Sequence, residues 1–515
     1  MKVYLMYKDA DFEPERPAPW NGPDLIQDLQ LEVVFSAMAI GDEFMHNVAR
    51  SALLSGLDNG SDVVLFRQAV LKDCLKNETT VRSLYKLAVD AVEGRKKSYW
   101  RPDTAIYPPS LLSDAVETLQ MFLSTLRTLR SMADEYADKF DSQGFTEFFA
   151  RIKSEISNDY LAEIEGHLDE LRFRGGVLIG AGLGRGNRGA NYGLRKPNKR
   201  KHWIKRVFGG NPSSYTFRID DRDDAGHNAV RELRSRGMNS VADAAAQSAE
   251  HVSNLFVMLQ TELAFYVGCL NLRDRLTEIG EPFCFPVPTT AGDQSLSFAE
   301  LYDSSLALTM GQTVVANSVD ADRKRFVLVT GANKGGKTTF LRSVGQAQLM
   351  MQSGMFVPAR SFSADLCAGF FTHFKRREDV TMQSGKLDEE LNRMSQIADH
   401  LTVNSVVLFN EAFAATNERE GSEIAKQIVS ALLEKGVKVV FVSHMYPFAR
   451  GFYESRTNAT LFLRAERKTD GTRTYKLVAG EPLETSYGID LYNSIFEGSL
   501  DRGKNAPSTA AAPSE

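Results

Sequence analysis

The sequence predicts a mainly helical N-terminal region followed by an α/β domain built on a parallel sheet. Three observations lead there. Apolar residues recur at spacings of three and four through most of the first 310 residues, the helical period. From about 311 to 497, short β-branched runs alternate with helical ones. One of those runs, Phe326 to Val329, passes directly into a glycine-rich loop and a new helix. The change of period sets the main boundary at 310/311.

Taken in order, residues 24–57 carry the helical spacing, and Ser110 to Phe140 and Phe145 to Leu171 repeat it with charged faces, so long packed helices are expected there. From Gly175 to Phe217 the chain is glycine-rich, too much so for a regular helix. This segment holds seven Lys or Arg between Arg195 and Arg206, with Tyr192, His202 and Trp203 among them. A helical run from about Ala225 to Glu278 follows, which puts the basic segment at the tip of an out-and-back helical excursion. Residues 498–515 read as a disordered tail.

At 515 residues the chain has room for about three domains. Its 61 Lys and Arg against 66 Asp and Glu leave a net charge of -5, so any nucleic-acid contact has to come from a local basic patch. Cys74, Cys269, Cys284 and Cys367 form no C-x-x-C pair, which argues against a disulfide framework or a zinc ribbon and for a reducing, cytoplasmic setting. Acidic residues and prolines interrupt the N-terminus before an apolar run develops, so no signal peptide is expected. No 18-residue apolar stretch is read elsewhere, so no membrane association is expected either.

The chemistry concentrates after Phe326. The loop Gly331, Ala332, Asn333, Lys334, Gly335, Gly336, Lys337, Thr338, with Thr339 next, is a complete phosphate-binding loop between a strand and a helix. Its glycines let backbone N–H groups turn inward around a triphosphate, Lys337 can neutralise the outer phosphates, the Thr338 hydroxyl can bind Mg²⁺, and the helix N-terminus favours an anion. ATP and Mg²⁺ are therefore the expected ligands. A second strand, Ser405 to Phe409, ends in Asn410-Glu411, where such a site needs a residue on the metal side followed by a carboxylate that activates water. Glu411 is the candidate base, its alternative being a helix-start acid or an ion-pair partner. Asn410 offers the metal side only a neutral amide oxygen. A helix from Ser422 to Glu434 leads to a third buried strand, Val437 to Val442, ending in Ser443-His444. His444 thus stands at the C-terminal edge of a parallel strand, where ligands bind in open α/β sheets.

The segment from Gly331 to Ala359, with Asn333, the paired Gly335-Gly336 and Phe356-Val-Pro-Ala359, resembles the ATPase core of MutS-family DNA mismatch repair proteins. The resemblance continues through Val314-Val-Ala-Asn317, Asn410 to Gly421, Ser443-His444 and Ser486 to Tyr492, and covers essentially all of 311–497. Asp28 to Phe44 and the run from Val63 to Leu75 are similar to the family's core and lever region. The resemblance implies a helical core and lever over 1–310 with a basic clamp-like insertion at about 175–217, and an ABC-type P-loop ATPase domain over 311–497. It implies that Lys337 and Thr338 hold phosphate and Mg²⁺, with Asn410 on the metal side. Glu411 would activate water, His444 would act as a γ-phosphate switch, and Asn317 would lie beside the nucleotide.

It also implies a homodimer completing its ATP sites in trans, double-stranded DNA as partner, mismatched or branched, and downstream repair proteins. The core-like pattern starts near residue 24, so a relative without the mismatch-probing N-terminal domain is expected. Val314 stands where an adenine-stacking aromatic is usual, and Met382 to Met394 keeps Ser384-Gly385 without the Ser/Thr-Phe pair. Arg195, Lys196, Lys199, Arg200 and Lys201 are the candidate DNA contacts. Two other classes stay open: an ATPase that binds branched DNA, structured RNA or ribosomes without mismatch specificity, and a nucleotide-gated interaction module with little hydrolysis.

Overall fold

The computed structural model describes residues 2–98, 107–174, 176–196, 216, 218–376, 385–455, 458–468 and 472–484. The tail expected over 498–515 lies outside them. The chain divides into two compact units, one of residues 1–5, 9–12 and 76–263, the other of residues 6–8, 13–75 and 264–515.

The front of the chain is helical and the sheets of the second unit lie toward the C-terminus. The single pattern read over residues 24–57 is broken into α1 (Gly22–Leu29), α2 (Leu31–Ala39) and α3 (Glu43–Ser55), with α4 (Ser61–Lys76) next. Gln30 and Ile40 make the breaks by taking left-handed backbone at φ 53° and 47°. Gln30 carries no breaker beside it, whereas Ile40 is followed by Gly41, at φ +84°, and by Asp42, the N-cap of α3.

In the first unit, α5 (Glu78–Ser98) is followed by α6 (Pro108–Tyr136), α7 (Gln143–Glu155) and α8 (Asn158–Leu171). The pattern read from Phe145 to Leu171 is thus two helices. Ser157 separates them, accepting the Tyr160 N–H at 3.1 Å as the α8 N-cap. The glycine-rich segment holds an antiparallel hairpin, β1 (Ile179–Leu183) and β2 (Gly189–Leu194). Val177 and Leu194 at its base pack on a core of Leu112, Val116, Leu168 and Met238.

The run expected from Ala225 to Glu278 is one helix, α9 (Asp224–Ile279), which contributes residues up to Leu263 to this unit and the rest to the second. It contains an 18-residue window of mean hydropathy 1.5 that is 83% buried. That corrects the expectation of no such stretch, since the average over the window is apolar although polar residues interrupt the helix. By burial the window belongs to a protein core. Glu262 is fully buried there, and its carboxylate accepts the N–H groups of Leu5 at 2.6 Å and Phe12 at 2.9 Å.

The second unit holds two sheets. Its strands are β3 (Val287–Thr289), β4 (Leu296–Leu301), β5 (Asn317–Asp320), β6 (Phe326–Thr330), β7 (Ser361–Asp365), β8 (Phe370–Phe374), β9 (Val406–Asn410), β10 (Lys438–Val442), β11 (Thr460–Arg467) and β12 (Arg473–Ala479). The smaller sheet has the order β3-β7-β4-β5 and draws strands from both sides of residue 310. The larger has the order β12-β11-β6-β10-β9-β8 and is parallel except for β12.

Its helices are α10 (Ser304–Met310), α11 (Lys337–Gln352), α12 (Lys386–His400), α13 (Glu418–Glu434) and α14 (Tyr446–Glu454). The inner strands read as near-continuous apolar runs because helices cover the sheet. Phe326, Leu328, Phe409, Val439 and Phe441 pack with Val429 of α13 and Phe448 of α14 in one core. Register decides the rest: Val442 pairs with both Asn410 and Val329, so β6, β9 and β10 end along one edge.

Candidate functional site

That edge carries the motif residues. β6 runs into Gly331, whose φ of +112° suits glycine, and a Cβ there would lie 2.9 Å from the Ala465 nitrogen of β11. The loop closes at Gly336, φ +89°, where a Cβ would meet the Tyr475 carbonyl at 3.1 Å. Gly336 is also the N-cap of α11 and has no side chain to cap it, which leaves the helix's first N–H groups available to an anion.

Lys337 opens α11, is 5% exposed, and turns back so that Nζ donates to the carbonyls of Gly331 at 2.9 Å and Ala332 at 3.0 Å. Burial holds its ammonium pKa below the ordinary value and Arg473 pushes the same way, while the Glu411 carboxylate opposes them. One residue on, the Thr338 hydroxyl donates to Asn410 Oδ1 at 3.0 Å, joining the start of α11 to the end of β9.

These groups face a cavity of about 560 Å³. Asn317, Asn333, Lys334, Gly335, Gly336, Lys337, Thr338, Thr339 and Glu411 all line it. Gly331 and Ala332 sit behind it as the acceptors of Lys337, and Asn410 reaches it through Thr338. Both ends of the Asn317 amide are engaged with β12: Oδ1 accepts the Leu477 N–H at 2.7 Å and Nδ2 donates to the Tyr475 carbonyl at 3.5 Å. Its place at the cavity is therefore that of a strut between β5 and β12.

His444 is exposed and is not among the cavity-lining residues. It borders a small crevice with Thr330, Gly331 and Tyr446. In the first unit Arg195 and Lys196 are exposed just after β2, with Lys196 Nζ 3.0 Å from Glu170 Oε1. Lys199, Arg200 and Lys201 lie outside the described residues, as do Ser384 and the segment Ser486 to Tyr492.

Sequence reasoning missed the other walls. Tyr475, 49% exposed, projects from β12, while Tyr302, Leu306 and Met310 come from the end of β4 and from α10. Asp303 lies at the cavity too. Its carboxylate is fully buried, paired with Arg342 of α11 at 2.6 Å and bonded by Gln346 at 3.0 Å, so α10 and α11 are tied by a charged network. No local motif announces these positions.

The site fits a nucleoside triphosphate with Mg²⁺. The glycine positions leave a cradle that a Cβ would fill, and the helix start and Lys337 supply positive charge. Cis ligands of an octahedral Mg²⁺ stand about 3 Å apart, which matches the Thr338–Asn410 oxygen separation of 3.0 Å. No cluster of three or more His, Cys, Asp or Glu suited to a metal occurs among the described residues, so a metal here would depend on phosphate oxygens and water as well.

Fold and site thus define a mainly helical protein carrying a strand, glycine loop and helix unit at the edge of a parallel α/β sheet. Two family models match the chain: the MutS2 N-terminal domain over residues 59–279 and MutS domain V over residues 327–497. The chain belongs to the MutS family. It is 34% identical over 183 residues to the DNA mismatch repair protein MutS of Thermotoga maritima, covering 35% of this chain and 23% of that protein. Endonuclease MutS2 of Thermus thermophilus is 33% identical over 172 residues, 33% of this chain and 23% of that protein. MutS of Streptococcus pneumoniae is 26% identical over 265 residues, 50% of this chain and 31% of that protein. The chain therefore spans between about a quarter and a third of the length of these relatives.

Proposed function

We propose that this protein is an ATP-dependent DNA-binding protein of the MutS type, a cytoplasmic homodimer in which ATP binding and hydrolysis gate the grip on DNA in mismatch repair or recombination. Residues 311–497 would form the ATPase part and residues 1–310 the helical core and lever. The observation that carries the reading is the Thr338–Asn410 contact at 3.0 Å, with Lys337 and Glu411 on the same cavity. Bound Mg²⁺ would offset the charge building on the phosphate oxygens.

The chain's own groups do the rest. The α11 N–H groups and Lys337 Nζ hold the phosphates, the amine leaving the Gly331 and Ala332 carbonyls to do so. Thr338 and Asn410 turn their oxygens to the metal side. The Glu411 carboxylate accepts a proton from the attacking water. ATP would pull the two halves of the dimer together and hydrolysis would release them.

Asn410 favours a second reading, a nucleotide-gated module that turns over slowly, since a neutral oxygen replaces the usual acid. Asn410→Asp separates the two. One added charge in this half-buried site should tighten Mg²⁺ binding by about tenfold and raise steady-state turnover. A fall in activity would mean the site is built around the amide.

DNA binding is assigned to the basic run after β2. Replacing Arg195, Lys196, Lys199, Arg200 and Lys201 with Ala should weaken binding to all sequences alike. The slope of log affinity against log salt should flatten by up to about 0.9 for each phosphate the variant no longer neutralises. ATP turnover without DNA should survive, because the substitutions leave the phosphate loop, Asn410 and Glu411 intact. Unchanged affinity and salt slope would make the run plain solvated surface.

A further inference from the structure

The loop that presents Glu411 is held from behind by a buried carboxylate. After β9 the chain passes through Glu411 at φ +52° and Phe413 at φ +60°, left-handed backbone that side-chain-bearing residues keep only where the surroundings over-determine it. At Glu411 the backbone N–H is fixed to the Val442 carbonyl of β10 at 2.9 Å.

Phe413 is gripped from three sides. Its N–H donates to Glu390 Oε2 of α12 at 2.8 Å, and its ring stacks on His373 of β8 with centroids 5.2 Å apart. Its carbonyl lies so close to Gly421 of α13 that a Cβ there would stand 2.3 Å away. Glu390 is 3% exposed, its carbonyl accepts the His373 Nε2–H at 2.9 Å, and burial raises its carboxyl pKa. The charges of Arg393 and Lys375 offset part of that burial, and the Phe413 N–H is the bond through which the carboxylate fixes the loop.

We propose that Glu390 is a positioning residue which, through the Phe413 N–H, holds the 411–413 loop so that the Glu411 carboxylate stands at the cavity. The inference rests on the hydrolytic reading of Glu411 given above. It makes α12 the element whose placement sets how well Glu411 acts, since Glu390 touches neither the cavity nor the phosphate loop.

Glu390→Asp and Glu390→Gln distinguish this from general packing. Asp keeps the charge but draws the oxygens back by about 1.5 Å, out of reach of the amide, whereas Gln keeps an oxygen at the same position. Glu390→Asp should lower kcat about tenfold, the loss expected from one misplaced interaction, with the dissociation constant for ATP unchanged. Glu390→Gln should retain wild-type kcat. Hydrogen exchange at the Phe413 amide, which requires no catalysis, should quicken in Glu390→Asp and stay protected in Glu390→Gln.

Wild-type kcat and protection in Glu390→Asp, or equal losses in both variants, would overturn the proposal. So would a weakened ATP affinity that accounts for the whole effect. A wild-type protein that binds ATP and hydrolyses none would instead overturn the hydrolytic reading, and the exchange measurement would then decide Glu390's hold on the loop by itself.

Discussion

Glu411→Gln should bind ATP as the parent does and hydrolyse it roughly 10² to 10⁴-fold more slowly, the usual contribution of a positioned general base. The substitution is nearly isosteric, and Glu411's backbone N–H to the Val442 carbonyl does not involve the side chain, so the loop should keep its shape. What disappears is the acceptor for the water proton. Because Lys337 also senses the Glu411 charge, some change in its pKa is expected, but its two bonds to loop carbonyls remain. Single-turnover hydrolysis with a separate equilibrium ATP titration reads both quantities. The variant should accumulate with ATP bound. Wild-type turnover would mean that another group activates water, or that the chain never hydrolysed ATP.

Lys337→Ala should bring ATP binding below detection. Nζ is the buried cation of the loop, and each charge-assisted hydrogen bond it gives to the β and γ phosphates contributes about 1.5 to 3 kcal/mol. Two such bonds amount to at least about a hundredfold in affinity. Removing the amine also strands the Gly331 and Ala332 carbonyls that it now satisfies, so circular dichroism and thermal unfolding should accompany the titration. Unchanged ATP affinity in a folded variant would remove the phosphate-loop assignment.

The parts of this molecule that were legible in the sequence are those written in consecutive residues. Phe326 to Thr338 spells strand, loop and helix start within thirteen positions, and Val406 to Glu411 spells strand and acid within six. The helical period foretold α9 to within a residue at each end. What escaped notice is non-local or made of unusual backbone. Tyr475 and Asp303 line the cavity, and Arg473 acts on the Lys337 charge, only because β12 and α10 fold back to it, and no spacing encodes that return. The breaks at Gln30 and Ile40 are left-handed turns on residues that ordinarily continue a helix. The hairpin β1–β2 lacks the alternation of a strand because glycine takes so many of its positions. Glu390 reads as one more acid on an amphipathic helix until α12 is seen against the Glu411 loop.

The central claim is that nucleotide governs DNA binding, and one measurement tests it most directly. Homoduplex, mismatched and four-way-junction DNA are titrated with wild type and Glu411→Gln at fixed salt, with and without Mg-ATP. The expected result is that Mg-ATP changes the affinity for at least one DNA form, and that the change persists in Glu411→Gln while it decays in wild type at the rate of hydrolysis. Equal DNA affinity with and without Mg-ATP in both proteins, under conditions where ATP is bound, would contradict it.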